Sequence, residues 1–139
     1  MIEIKELRAL RGPNRHTRHT AIFMALDIKD YERRPSDKIE GFTERLVDLL
    51  PTLQEHKCSI GTVGGFIQRL QDGTWAGHII EHIALELQCL SGMNVAYGKT
   101  LDTSNTGVYL VVFRYLVESV GLKAAKEAVS LFEAVAAGK

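Results

Sequence analysis

Three polar side chains stand together in the segment Gly77-His78-Ile79-Ile80-Glu81-His82-Ile83-Ala84-Leu85-Glu86-Leu87. On a helix turning about 100° per residue, His78 and His82 lie about 40° apart around the axis and roughly 6 Å apart along it. Two imidazoles one turn apart can converge on a single ion, with Glu81 beside them. The pattern is H-x-x-E-H, the reverse of the H-E-x-x-H metallopeptidase order. Neutral imidazole nitrogens bind Zn²⁺ well, and the ion brings the pKa of its water towards about 7. A neighbouring carboxylate can take that water's proton and later pass it to a leaving amine. The spacing suits a zinc site, with zinc as cofactor, His78 and His82 as ligands and Glu81 as general base.

Context bears on this reading. With five His and eleven Glu in 139 residues, the pattern arises by chance about one time in a hundred. The three polar residues interrupt a segment that is otherwise apolar nearly all round: Trp75, Ile79, Ile80, Ile83, Leu85, Leu87 and Leu90. Such a helix is normally buried, and buried imidazoles and carboxylates need partners. A metal would supply them. So would hydrogen bonds in a core where His78 and His82 are merely structural and Glu81 pairs with a cation, and the spacing alone leaves both readings open.

A hydrolytic site needs a third protein ligand. Glu86 lies eight residues from His78, about 12 Å along the helix, too far to share an ion, and reads instead as a partner to the ligands or to a cation. Glu55-His56-Lys57-Cys58 offers three donors in four residues outside the helix. His56 is the favoured third ligand, with Glu55 or Cys58 behind it; an ordinary partly buried pair is the competing reading.

A second constellation is Arg8, Arg11, Arg15, His16, Arg18 and His19, with no acidic residue from Arg8 to His19. Arginines bind carboxylates and phosphates bidentately, so Arg11, Arg15 and Arg18 are candidate contacts for an anionic chain; a solvated loop is the plainer alternative. Gly61, Gly64 and Gly65 do not form G-x-x-x-x-G-K-[ST], which argues against a phosphate loop.

Around these residues the chain divides into recognisable elements. Residues 2–9 and 21–28 alternate as strands, the second with Ile22, Met24, Leu26 and Ile28 on one side. Ser36 or Asp37 is a candidate N-cap for a helix carrying Ile39, Phe42, Leu46, Leu49 and Leu50, ended by Pro51. Residues 53–60 form a strand or an ordered loop. Phe66 to Leu70 makes a short amphipathic turn, and Thr74 is a candidate N-cap for the longest helix, Trp75 to about Leu90. Val95 to Tyr97 is a short strand candidate, Val108 to Leu116 the strongest strand, and after Gly121 an alanine-rich helix runs to about Ala136. Without regular βαβ alternation, the expected fold class is α+β, a single domain over 1–139 with an antiparallel or mixed sheet packed against helices.

Composition narrows the function. The chain is 45% hydrophobic and 24% charged, with seventeen Lys plus Arg against seventeen Asp plus Glu. That is a globular balance whose zero net charge argues against a nucleic-acid partner. No apolar run approaches the ~18 residues of a membrane span, and MIEIKELRAL carries charges unlike a secretory signal. Two cysteines, Cys58 and Cys89, are no disulfide framework, which points to a reduced, cytoplasmic setting.

An ordered series of motifs is more specific than H-x-x-E-H alone. It runs Leu10-Arg11-Gly12-Pro13-Asn14, Pro35-Ser36, Gly41-Phe42, Leu50-Pro51, Glu55-His56-Lys57-Cys58-Ser59, Gly64-Gly65-Phe66, Gly73-Thr74, Gly77 to Gln88, Gly92-Met93 and Gly107-Val108-Tyr109. Over nearly the whole chain it resembles the N-terminal domain of cyanophycin synthetases. The resemblance implies an α+β unit that precedes an ATP-grasp ligase domain and a Mur-ligase-like domain. Those two build a poly-aspartate backbone with arginine on each side chain. It also implies that the unit holds the polymer and, in many members, carries a zinc-dependent metallopeptidase-like site that cuts the polymer into primers. The family's H-x-x-E-H falls on His78, Glu81 and His82. Two departures stand out: Arg15-His16 follows G-P-N where the family often has two aromatics, and Gly98-Lys99-Thr100-Leu101-Asp102-Thr103 stands in place of a basic G-R-T-R-E-T loop.

The activity implied by the resemblance is that of a metal-dependent peptidase acting on cyanophycin or a similar Asp/Arg peptide. Synthetase domains in cis or in trans are the implied partners, and a homo-oligomer is compatible with the family's assemblies. A non-catalytic module that anchors the polymer is the alternative. A structural zinc domain is a third reading, in which chelation unfolds the chain.

Overall fold

In the computed structural model, which describes residues 1–56 and 63–138, the strands are β1 (Glu3–Leu10), β2 (Ala21–Asp27), β3 (Gly98–Asp102) and β4 (Val108–Arg114). They form one sheet in the order β1-β2-β4-β3, antiparallel throughout. The helices are α1 (Phe42–Leu49), α2 (Gly65–Asp72), α3 (Ala76–Leu90) and α4 (Glu118–Ala136). The α+β expectation holds, and the sheet is the antiparallel form of it.

The period-two pattern in β2 sends Ile22, Met24 and Leu26 to one face, where they join Val111 and Phe113 of β4 under α3 and α4. Ile79, Ile80, Ile83 and Ala84 of α3 and Ala125, Ala128 and Phe132 of α4 complete that core. The small alanines let α4 lie close against α3. Ala21, Phe23 and Ala25 point to the other face and bury with Val112, so β2 is apolar on both sides. There the Arg8 guanidinium lies 4.8 Å over the Phe23 ring and His16 packs beside it at 5.6 Å, their side chains covering a sheet face that no helix covers among the described residues.

Several expected details change. Ser36 caps no long helix. It starts a short 3-10 turn, its hydroxyl donating to the Leu70 carbonyl at 2.7 Å and accepting from the Thr74 N–H at 3.0 Å. It thereby ties the end of α2 to the start of α3. The residue before α1 is Gly41, at φ 71°, not a hydroxyl cap. The third strand is not Val95 to Tyr97 but the following segment, β3, whose weak pattern Gly-Lys-Thr-Leu-Asp is completed by backbone pairing with β4. Tertiary pairing overrides a low local strand preference here. Pro51–Glu55 is a 3-10 turn. His56 follows it in extended backbone, and residues 57–60 of the 53–60 expectation, Cys58 included, lie outside the described residues.

Candidate functional site

α3 is the element that carries the site. Its apolar residues bury it against sheet and α4, so any polar residue in it must find partners inside. Glu81 is 5% exposed, His82 6% and Glu86 3%. Trp75 and Leu90, at the two ends of the helix, are exposed instead. The expectation of a helix apolar all round thus holds for its middle turns and not for its ends.

His78, Glu81 and His82 line one wall of a cleft of about 980 Å³. The His78 and His82 rings meet edge to face with centroids 4.8 Å apart, as one helical turn predicts. Phe66 of α2 wedges against both. It stacks on His82 at 4.0 Å and 13°, and it meets His78 edge-on at 5.6 Å. Burial pushes His78 down to about 4, with Arg69 adding a smaller effect of the same sign. Burial pushes His82 lower still, helped by His78, His56 and Arg69. Both imidazoles are therefore neutral at ordinary pH. Burial pushes Glu81 the other way, from 4.5 up to about 7, against a hydrogen bond from Thr100 that lowers it.

β3 supplies the opposite wall. The Thr100 hydroxyl donates to Glu81 Oε1 at 2.8 Å. Two glycines allow this approach. A Cβ on Gly98 would sit 2.8 Å from Glu81 Oε2, and one on Gly77 would sit 3.0 Å from the Thr100 methyl. Thr74, read from sequence as a helix cap, makes no cap; its hydroxyl is 3.0 Å from His78 Nδ1. Thr74, Gly98 and Thr100 are the site residues that sequence reasoning missed. The departure at Gly98 to Thr103 marked the right segment but did not show that its threonine reaches the glutamate.

His56 arrives from outside the helix, as expected of a candidate third ligand, and reaches the cluster. Its Nδ1 is 2.8 Å from His82 Nδ1 and its Nε2 is 3.0 Å from Glu86 Oε1. Both ring nitrogens are thus engaged, and Glu86 is partner to a histidine. Among the described residues, Glu86 Oε2 is buried with no hydrogen-bond partner, and no three His, Cys, Asp or Glu side chains converge as a ready-made metal cage. Even so, two neutral imidazoles on one helix, with a carboxyl beside them, are a donor set suited to zinc.

The arginines expected to meet a substrate lie elsewhere. Arg11, Arg15 and Arg18 are exposed on the β1–β2 connection and do not line the cleft. Arg11 holds the Glu118 carboxylate with two hydrogen bonds, 2.7 and 3.0 Å. Arg15 borders a separate hollow of about 360 Å³ beside Phe23. One hydrogen bond links the two regions, from the Tyr97 hydroxyl to the His16 carbonyl at 3.2 Å. Among the described residues, the cations that do line the cleft are Arg69 and Lys99, together with the acids Glu55 and Asp102.

An antiparallel four-stranded sheet and a buried helix that carries H-x-x-E-H along a cleft define a small α+β domain. Residues 23–137 match the family described as the cyanophycin synthase-like N-terminal domain, and the chain belongs to that family. Among its relatives, cyanophycin synthetase of Geminocystis herdmanii is 48% identical over 136 residues, 96% of this chain. The synthetases of Trichormus variabilis and Synechocystis sp. are 46% and 47% identical, over 96% and 94% of this chain. The chain spans only 15 to 16% of the length of these relatives. Among the described residues no helix is long and apolar enough to cross a membrane.

Proposed function

We propose that this domain is a zinc-dependent peptidase that hydrolyses the poly-aspartate backbone of cyanophycin, or a similar Asp/Arg peptide, producing primers for polymerisation. The observation that carries the reading is the placement of His78, Glu81 and His82 on one largely buried cleft wall, with both imidazoles neutral and the carboxyl raised to about 7. His78 and His82 would hold the ion. Zinc, when bound, supplies a Lewis acid that polarises a carbonyl and acidifies water. Glu81 is poised to take a proton from the attacking water and return it to the departing amine, since its pKa lies near neutrality. Thr100 keeps the carboxyl turned towards β3. Arg69 and Lys99, in one cleft with Glu55 and Asp102, suit a substrate carrying both signs. In this reading Arg15 and Arg18 dock polymer carboxylates outside the cleft, and synthetase domains act in cis or in trans in a reduced, cytoplasmic setting.

The test is direct. Purified chain supplied with zinc should bind about one equivalent and shorten cyanophycin. Glu81→Gln should lose cleavage and keep folding and polymer binding. Undiminished cleavage by Glu81→Gln sinks the general-base assignment.

A second reading, a non-catalytic module that anchors the polymer, is favoured by one observation. His56 already engages both of its ring nitrogens with protein groups, Nδ1 with His82 and Nε2 with Glu86. It predicts polymer binding with neither zinc uptake nor cleavage.

A further inference from the structure

Glu86 is buried at 3% exposure, yet only one of its oxygens has a partner among the described residues, and that partner is His56. His56 in turn touches His82 nitrogen to nitrogen. Such a contact at 2.8 Å requires one proton between two ring nitrogens, and which ring owns it depends on what lies at either end. A carboxylate can only accept, so Glu86 takes the His56 Nε2–H. A neutral His56 then has its lone pair at Nδ1, and the proton in the second contact must belong to His82 Nδ1. We propose that Glu86, acting through His56, is a positioning residue that keeps the proton of His82 on Nδ1 and its lone pair on Nε2.

The order is directional because the carboxylate at its end can only accept, and each histidine takes the tautomer that its neighbour leaves it. His82, the last histidine of the H-x-x-E-H face, and His56, just after the Pro51–Glu55 turn, both line the cleft, whereas Glu86, one turn further along α3, lies behind them and does not. The Phe66 ring stacked on His82 blocks rotation that would exchange the two nitrogens. A histidine that must accept at Nε2, from a metal or from a proton donor, is prepared for it by such a chain. The arrangement does not depend on cleavage. Its link to metal binding rests on the peptidase reading, and the two can fail separately.

The experiment uses the metal-free chain with ¹⁵N-labelled histidine at about pH 8, above the ordinary histidine range. Long-range ¹H–¹⁵N correlation reports which nitrogen of His82 carries the proton. The expected result is Nδ1–H in the parent and loss of that preference in Glu86→Gln, because an amide can donate or accept and no longer sets the direction. His56→Gln serves as the second variant, and thermal midpoints show that the comparison is between folded proteins. His82 protonated on Nε2 in the parent overturns the proposal, whether or not either variant folds. An unchanged His82 pattern in folded Glu86→Gln also overturns it. Zinc titration is the separate arm: if His82 binds zinc, Glu86→Gln should weaken binding by about 10- to 100-fold. A tautomer change with no zinc binding by the parent keeps the relay and removes the metal reading.

Discussion

Glu81→Gln should change the pH dependence of stability, apart from any effect on activity. The Glu81 carboxyl is buried, and its pKa rises from 4.5 to about 7 on folding. A shift of that size corresponds to about 3 kcal/mol at ~1.4 kcal/mol per unit. Because the folded pKa is the higher one, the folded chain holds the proton where the unfolded chain has released it. The stabilisation is complete below pH 4.5 and is lost as pH rises through 7. Between about pH 5 and pH 8 the parent should lose ~2 to 3 kcal/mol that the variant keeps. Gln can still accept from Thr100, so the hydrogen bond at Oε1 survives and the difference isolates ionisation. Urea unfolding of both proteins in chelator, at four or five pH values, measures it. The stability gap should move towards the variant with rising pH, and added zinc should flatten the parent's slope by favouring the carboxylate. Parallel curves in chelator refute the burial argument.

Other outcomes come from the same geometry. His78, pushed down to about 4, must stay neutral in the fold; from about pH 7 to pH 5 the parent should lose about 2 kcal/mol relative to His78→Gln, read from unfolding curves at the two pH values. Phe66→Ala removes the ring stacked on His82 and leaves a void in a fully buried position, at a cost of ~3 to 5 kcal/mol by urea denaturation. Gly98→Ala places a methyl against the Glu81 carboxyl; Glu81 should leave Thr100 and cleavage should fall with little change in polymer binding, measured side by side.

How far the sequence reached differs from element to element. The two-residue alternation of β2, the β-branched run of β4 and the apolar turns around His78 are local signals, set by side chains a few positions apart. They were enough to predict strands, the central helix and the α+β class, and to put two imidazoles and a carboxyl on one helical face. Hydrophobic period and helical pitch depend on nearest neighbours along the chain. β3 escaped because Gly-Lys-Thr-Leu-Asp has no such period and becomes a strand only when β4 lies alongside. Thr74 and Ser36 read as caps by type, yet their hydroxyls serve His78 and the α2–α3 junction.

Which residues could do chemistry, and the one spacing that a single helix imposes on them, were legible from the order of residues alone. Their protonation and their partners came from packing. Burial, which no local pattern measures, lowers the two histidines and raises the glutamate. Long-range contacts bring Thr100 to Glu81 and His56 to both His82 and Glu86, across sequence separations of 19 to 30 residues. They also leave the arginines of the β1–β2 connection away from the cleft. Separations of that size are set by how sheet and helices stack, because the free energy of burying the apolar faces is what brings these polar groups together.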